Sequence, residues 1–239
     1  TNYTIAFNLL FIVLLPISLF AQIDPEDLID NRPGYFKKKK KKKNKDGDET
    51  GSWEYKYESG QVGISAEYDN GDRIGEWKFY YKNGQLAAQG EYIDGDEFGE
   101  WKFYYEVGQL MAIEVYEKHL YEDSEYYYTV KSGTWVEYFE NGKIKSKGDY
   151  KKNKKNGIWL SYYESGQQAE KRNYENGKEV GIHEIYGSSG NLLSKGDFTK
   201  TPNEWTNYYS SGKVRSIHSV IDKKYDGVCK KFYMDGSLV

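Results

Sequence analysis

A tryptophan followed seven residues later by a glycine recurs through most of this chain, and no other feature restricts its fold as much. The tryptophan position is held by Trp53, Trp77, Trp101, Trp135, Trp159, His183, Trp205 and Cys229, at spacings of 24, 24, 34, 24, 24, 22 and 24 residues. The glycine follows as Gly60, Gly84, Gly108, Gly142, Gly166, Gly190, Gly212 and Gly236, in all eight copies. Four residues after the tryptophan position stand Tyr57, Tyr81, Tyr105, Phe139, Tyr163, Gly187, Tyr209 and Tyr233. Self-similarity at a fixed period is the signature of a repeat architecture, in which each unit is one supersecondary element completed by its neighbours.

The unit reads as a β-hairpin. From Gly75, residues Trp77, Phe79 and Tyr81 alternate with Glu76, Lys78 and Tyr80, the period of two that sends successive side chains to opposite faces of a strand. Asn83-Gly84 then predicts a two-residue type I′ turn, in which both positions take positive φ. With that turn Tyr81 faces Leu86, and Trp77 faces Gly90, where a bulky indole meets a residue without a side chain. The aliphatic position recurs as Val62, Leu86, Leu110, Ile144, Leu192, Val214 and Leu238, and fails only at Gln168. Second turns at Asn70-Gly71, Asp94-Gly95 and Asn176-Gly177 join each hairpin to the next. Composition agrees, since 25 Tyr, 10 Phe, 6 Trp and 25 Gly suit pleated strands and turns better than helices. The expected fold is all-β: an elongated single-layer antiparallel β-meander of about eight hairpin repeats of 24 residues. About fifteen strands at ~4.8 Å each give a sheet on the order of 70 Å long. One face should be rich in Trp, and the other should carry Tyr80, Tyr104, Tyr138, Tyr162, Tyr186 and Tyr208.

The array occupies residues 51–239. Ahead of it, Ile5 to Phe20 is an almost unbroken apolar stretch ending in Ala21-Gln22, which predicts a signal peptide over residues 1–21. The stretch is short for a membrane span of about 20 residues, and an uncleaved anchor helix is the alternative. Residues 22–50 are expected to be a disordered, Lys-rich linker, with eight positive charges in Lys37–Lys43 and Lys45. The chain is therefore expected to be exported, to the periplasm, the cell surface or the medium of a bacterium. Without that lysine run the chain has 26 basic residues against 37 acidic, so its body repels nucleic acid. Only Lys37–Lys43 could draw it to an anionic membrane surface.

Chemistry-bearing patterns are absent from the sequence. Cys229 is the single cysteine, and His119, His183 and His218 are too scattered for metal-ligand spacing. No nucleophile–base set, phosphate loop or cofactor motif stands out, and His183 reads as an altered Trp position. The expectation is a non-enzyme with no metal and no cofactor.

The runs GEWKFYYKNGQL from Gly75, GEWKFYYEVGQL from Gly99 and GIWLSYYESGQQ from Gly157 resemble MORN repeats, in particular their bacterial variant. The resemblance covers Gly51 to the end of the chain, with His183 and Cys229 in place of Trp and Asn203 in place of the leading Gly. It implies an elongated, twisted antiparallel sheet that acts as a protein- or membrane-associating scaffold, without shared catalytic residues. Some bacterial members carry an antitoxin label, which fits an exported chain poorly.

The functional expectation is an exported repeat scaffold that binds an unidentified protein partner at the cell envelope. Its candidate contact residues are Tyr80, Tyr104, Tyr138 and Tyr162 on the outer face. The third unit is ten residues longer than its neighbours, and this extra stretch adds Tyr121, Tyr126, Tyr127 and Tyr128. That insertion is either a specific contact or simply a longer hairpin or loop. Two alternatives remain: a glycan- or cell-wall-binding module using exposed aromatic rows, and association with a membrane surface through the lysine run.

Overall fold

The computed structural model describes residues 36–38, 43–120, 126–221 and 224–239. The predicted signal peptide and Tyr121 lie outside the described residues, as do Lys39–Lys42 of the lysine run. No helix occurs among the described residues. The strands are β1 (Phe36–Lys38), β2 (Gly51–Tyr57), β3 (Val62–Asp69), β4 (Asp72–Tyr80), β5 (Leu86–Ile93), β6 (Asp96–Tyr104), β7 (Leu110–Leu120), β8 (Tyr127–Lys131) and β9 (Gly133–Tyr138). They continue as β10 (Ile144–Lys151), β11 (Lys154–Tyr162), β12 (Gln168–Glu175), β13 (Lys178–Glu179), β14 (Ile182–Tyr186), β15 (Leu192–Asp197), β16 (Asn203–Tyr208), β17 (Val214–Ile221) and β18 (Lys224–Lys231). Each pairs antiparallel with its neighbour in sequence, so the sheet is a meander. β8 and β9 lie end to end along β7, and β13 and β14 lie end to end along β12.

The linker expected over residues 22–50 joins the fold before its end. Phe36–Lys38 pairs with Tyr55–Tyr57 of β2, and Lys43 bridges Glu49 around a turn. The Asn44 side chain holds that turn by accepting from the Asp46 and Asp48 amides at 2.9 and 2.8 Å.

The two kinds of turn differ from one another. At Asn70-Gly71, Asp94-Gly95 and Asn176-Gly177 both residues have positive φ, as a two-residue type I′ turn requires. At Asn83-Gly84 only Gly84 does, at +85°. There the Tyr81 amide donates to the Gln85 carbonyl at 2.8 Å, and the Gly84 amide donates to the Tyr81 carbonyl at 2.9 Å. The loop is thus the three residues Lys82–Gly84, a type I turn closed by a left-handed glycine. Tyr80, and not Tyr81, therefore stands opposite Leu86, while a bulge at Ala87 restores the expected pairing of Trp77 with Gly90.

Ring packing between units, with no second layer, makes the core. Trp77 lies edge-on to Tyr68 and Tyr92 with ring centroids 5.1 Å away, and Tyr92 lies edge-on to Trp101 at 5.0 Å. Such contacts add about 0.5–1.5 kcal/mol each beyond the area they bury. Trp53, Trp77, Phe79, Tyr92, Trp101, Phe103 and Tyr116 form one continuous buried cluster. The indole that covers Gly90 is that of Trp101, one unit further on: a Cβ at Gly90 would stand 2.2 Å from that ring.

A single row of register partners crosses this face and changes character midway. It runs Tyr55, Ile64, Phe79, Ala88, Phe103 and Ala112 through the first half of the sheet. It continues as Glu137, Ser146, Ser161, Glu170, Ile185, Ser194, Asn207 and Ser216. The polar half supplies its own partners, since Ser146 donates to Glu137 at 2.8 Å and Asn207 donates to Ser216 at 2.9 Å. The large majority of buried polar groups in proteins are paired in this way.

Candidate functional site

Three sets of side chains at recurring positions hold the array together. Indole N–H groups fill the gaps that bulges open between hairpins. Trp77 donates to the carbonyls of Glu67 and Ile74, Trp101 to that of Glu91, Trp135 to that of Val115 and Trp159 to that of Asp149, at 3.1–3.2 Å. Phenols four residues further along tie each hairpin to the next. Tyr57, Tyr81, Tyr105, Tyr163 and Tyr209 donate to the carbonyls of Tyr80, Tyr104, Tyr138, Tyr186 and Phe232 at 2.6–2.8 Å. Phe139 and Gly187 occupy the same position without a hydroxyl.

Cations form the third set. Arg73 lies 5.1 Å over Trp77 and 5.2 Å over Tyr92. Lys131 lies 4.4 Å over Trp135 and 5.7 Å over Tyr150, and Lys155 lies 4.1 Å over Trp159 and 5.4 Å over Tyr174. A cation on a ring face is attracted by the ring quadrupole, more strongly when desolvated. Burial pushes the ammonium pKa of Lys131 and of Lys155 down.

Two buried acids interrupt the aromatic face. Glu114 stands at the register position that Gly90 holds one unit earlier, opposite Trp101, and is 4% exposed. Burial pushes its carboxyl up to about 7, against the pull of a 2.7 Å hydrogen bond from Tyr116 and of the Lys131 charge. Glu170 is buried as well, but it accepts Arg172 at 2.7 Å and bonds His183 at 2.8 Å. Burial alone would push its carboxyl up, and these two partners outweigh it and hold the pKa low. Arg172 also donates to Glu179 at 2.7 Å, so a polar cluster stands where other units place indole over glycine.

The candidate contact residues are arranged as follows. Tyr80, Tyr104, Tyr138 and Tyr162 are half-buried on the face opposite the Trp row. Ion pairs flank the row, Lys78 with Glu76 at 2.7 Å and Lys102 with Glu100 at 2.9 Å. The insertion is a longer hairpin: β7 and β8 pair out to Leu120 opposite Tyr127, about 10 Å beyond the neighbouring turns. Leu120, Tyr126 and Tyr127 are exposed near its tip, the tyrosines by 77% and 57%. Tyr128 is half-buried beside His119, with ring centroids 6.2 Å apart. Trp53, Trp77, Trp101 and Trp159 are buried, which closes those ring faces to any stacking ligand.

At the base of the long hairpin a cleft of about 740 Å³ is open to solvent. Its walls come from Asp96 and Glu97 on β6, Tyr116 on β7, Tyr127–Thr129 on β8 and Tyr150 on β10, with Lys131 and Asn153. The Thr129 hydroxyl is buried and without a partner. The Asn153 side chain accepts the Lys131 amide at 2.7 Å, locking the β10–β11 turn against β8. Sequence reasoning missed this cleft, because the turns that wall it are distant in the chain. Among the described residues no group of three or more metal-ligating side chains occurs.

The family described as MORN repeat variant matches the chain four times, over residues 73–94, 99–118, 131–152 and 155–176. No curated protein matches the chain. Each matched segment starts at or near the position that carries Arg73, Lys131 and Lys155 and runs through one hairpin. With this periodic hairpin sheet and these four matched units, residues 73–176 carry repeats of the MORN variant, motifs that generally serve in protein and membrane interaction.

Proposed function

We propose that this protein is an exported, non-catalytic scaffold that binds a partner protein at the cell envelope, with the long third hairpin as its main contact. One observation carries this reading: Leu120, Tyr126 and Tyr127 are exposed together on a hairpin that stands clear of the sheet. Aromatic side chains give large contact area at low entropic cost, which is why they anchor interfaces. The outer tyrosines Tyr80, Tyr104, Tyr138 and Tyr162 extend the contact surface along the array. Export rests on the apolar Ile5–Phe20 stretch.

The test is recovery of partners by the tagged chain from envelope extract, beside a Tyr126→Ser/Tyr127→Ser variant. One protein recovered in near-equal amount with the parent chain, and lost with the variant, supports the reading. Recovery of wall or capsule polysaccharide instead would move the assignment to glycan binding. Retention on anionic vesicles, abolished by salt, would favour the lysine run.

A further inference from the structure

The cation row has a gap where the cleft opens. In the second, fourth and fifth units the residue two before the leading glycine is Arg73, Lys131 or Lys155, each lying over its own Trp and Tyr rings. In the third unit the same position holds Glu97, as it holds Glu49 and Glu179 in the first and sixth, but only beside Glu97 does the cleft open. A carboxylate thus replaces the cation, and it shares the cleft with Asp96 and with Tyr127 on the projecting hairpin. The Asp94-bound Lys118 ammonium lies 5.9 Å from the Tyr127 ring and leaves the rest of the cleft to an incoming group. Glu97 accepts only a long 3.4 Å bond from Tyr92, and neither acid forms an ion pair among the described residues. Lys131 also lines the cleft, but its ammonium is committed to Trp135 and Tyr150, and its charge is countered by Glu114. Trp101 is fully buried, so an incoming group would meet the tyrosine walls and the two carboxylates.

We propose that the cleft between β6 and the β7–β8 hairpin receives a guanidinium or ammonium side chain presented by a basic segment of the partner protein. The inference rests on the scaffold reading and names the chemistry of the partner's anchor. Tyrosine faces would meet the incoming cation as Trp77 and Tyr92 meet Arg73, and an acidic side chain of β6 would add a charge-assisted hydrogen bond. The Asn153 side-chain oxygen, which accepts the Lys131 amide, is a further acceptor on the cleft wall. The acidic balance of the chain outside the lysine run would draw in a basic segment at long range.

The experiment titrates the full chain with N-acetyl-arginine amide and with the neutral isostere N-acetyl-citrulline amide, following the Thr129 and Asn153 amide resonances. Saturable shifts are expected with the arginine compound, with at least tenfold weaker binding of citrulline. Asp96→Asn/Glu97→Gln should weaken arginine binding at least tenfold with the fold retained. Tyr127→Ala, at an exposed position where loss of the fold is not an issue, should weaken it several-fold. Equal binding of the two compounds, indifference to these substitutions, or saturable binding of methyl glucoside in their place would each overturn the proposal. Partner recovery that needs Tyr126 and Tyr127 but survives Asp96→Asn/Glu97→Gln would overturn the cation pocket and leave the scaffold reading standing.

Discussion

The indole of Trp101 rests on Gly90 of the preceding hairpin so closely that a Cβ there would come within 2.2 Å of the ring. Gly90 has no positive φ, so its requirement is space and not conformation. Gly90→Ala should cost about 1–3 kcal/mol, the usual range for overpacking. Ala66 already occupies the equivalent place one unit earlier, so the fold should survive with a displaced indole. The contrasting control is Gly142, at φ +79° with nothing near its Cβ position, where alanine should cost about 1 kcal/mol of backbone strain. Urea denaturation with Trp fluorescence separates the two, because only Gly90→Ala should alter the native emission.

The phenol ties predict opposite effects at equivalent sites. Tyr81→Phe removes the 2.7 Å bond to the Tyr104 carbonyl and should destabilise by about 1 kcal/mol. Phe139→Tyr supplies the hydroxyl that its unit lacks and should stabilise by a similar amount. Thermal melts of the two variants and the parent decide the matter, and shifts of the same sign would contradict the tie.

Glu114 should make the protein less stable as pH rises. Its folded pKa, about 7, lies above the ordinary 4.5, so the folded state holds a proton that the unfolded state releases between those values. This contribution is whole below about 4.5 and is lost as pH climbs through about 7. The full span is on the order of 3 kcal/mol. Tyr116 and Lys131 pull the pKa down, and Glu137 and Glu97 push it up. Glu114→Gln should flatten the stability profile between pH 4.5 and 7 and raise the melting temperature at pH 8. A profile unchanged by the substitution would show that the carboxyl is not buried in solution.

The Glu170 cluster should be replaceable as a set but not singly. Glu170→Ala takes one of the two carboxylates that hold Arg172 and removes the acceptor of His183, and should cost about 3 kcal/mol. Adding Arg172→Gly and His183→Trp recreates the Ala88, Gly90 and Trp101 combination of an earlier unit. The triple variant should therefore match or exceed the parent in denaturant stability, since apolar packing commonly equals a buried ion pair.

Much of this architecture was legible in the residues. Alternation around Trp77 and Phe79 gave the strands, and the tryptophan-to-glycine period gave the meander. The pairing of Trp77 with Gly90 also held. What escaped was set by geometry between units. Asn83-Gly84 reads as a two-residue turn, but Gly84 alone takes the left-handed conformation and the loop is one residue longer. Trp101 covers Gly90 because the β5–β6 pairing shifts register there, Gln89 facing Lys102 and Glu91 facing Phe98, which no spacing within a unit discloses. Asp46-Gly47 lies 24 residues before Asn70-Gly71 and announced a folded turn inside the supposed linker. The outer tyrosines were placed on the correct face, whereas the cleft beside Tyr127 needed three separate hairpins to be brought together.

Tyr81 reaches a carbonyl 23 residues ahead, and Tyr105 reaches one 33 residues ahead, both at 2.7 Å. The ten extra residues of the third unit are thus looped outward without disturbing the step from one hairpin to the next. The array behaves as a ruler: whole hairpins set its length, while material added at a turn rides outside the graduations. A chain built this way can lengthen, shorten or acquire a new recognition loop without renegotiating the rest of its structure.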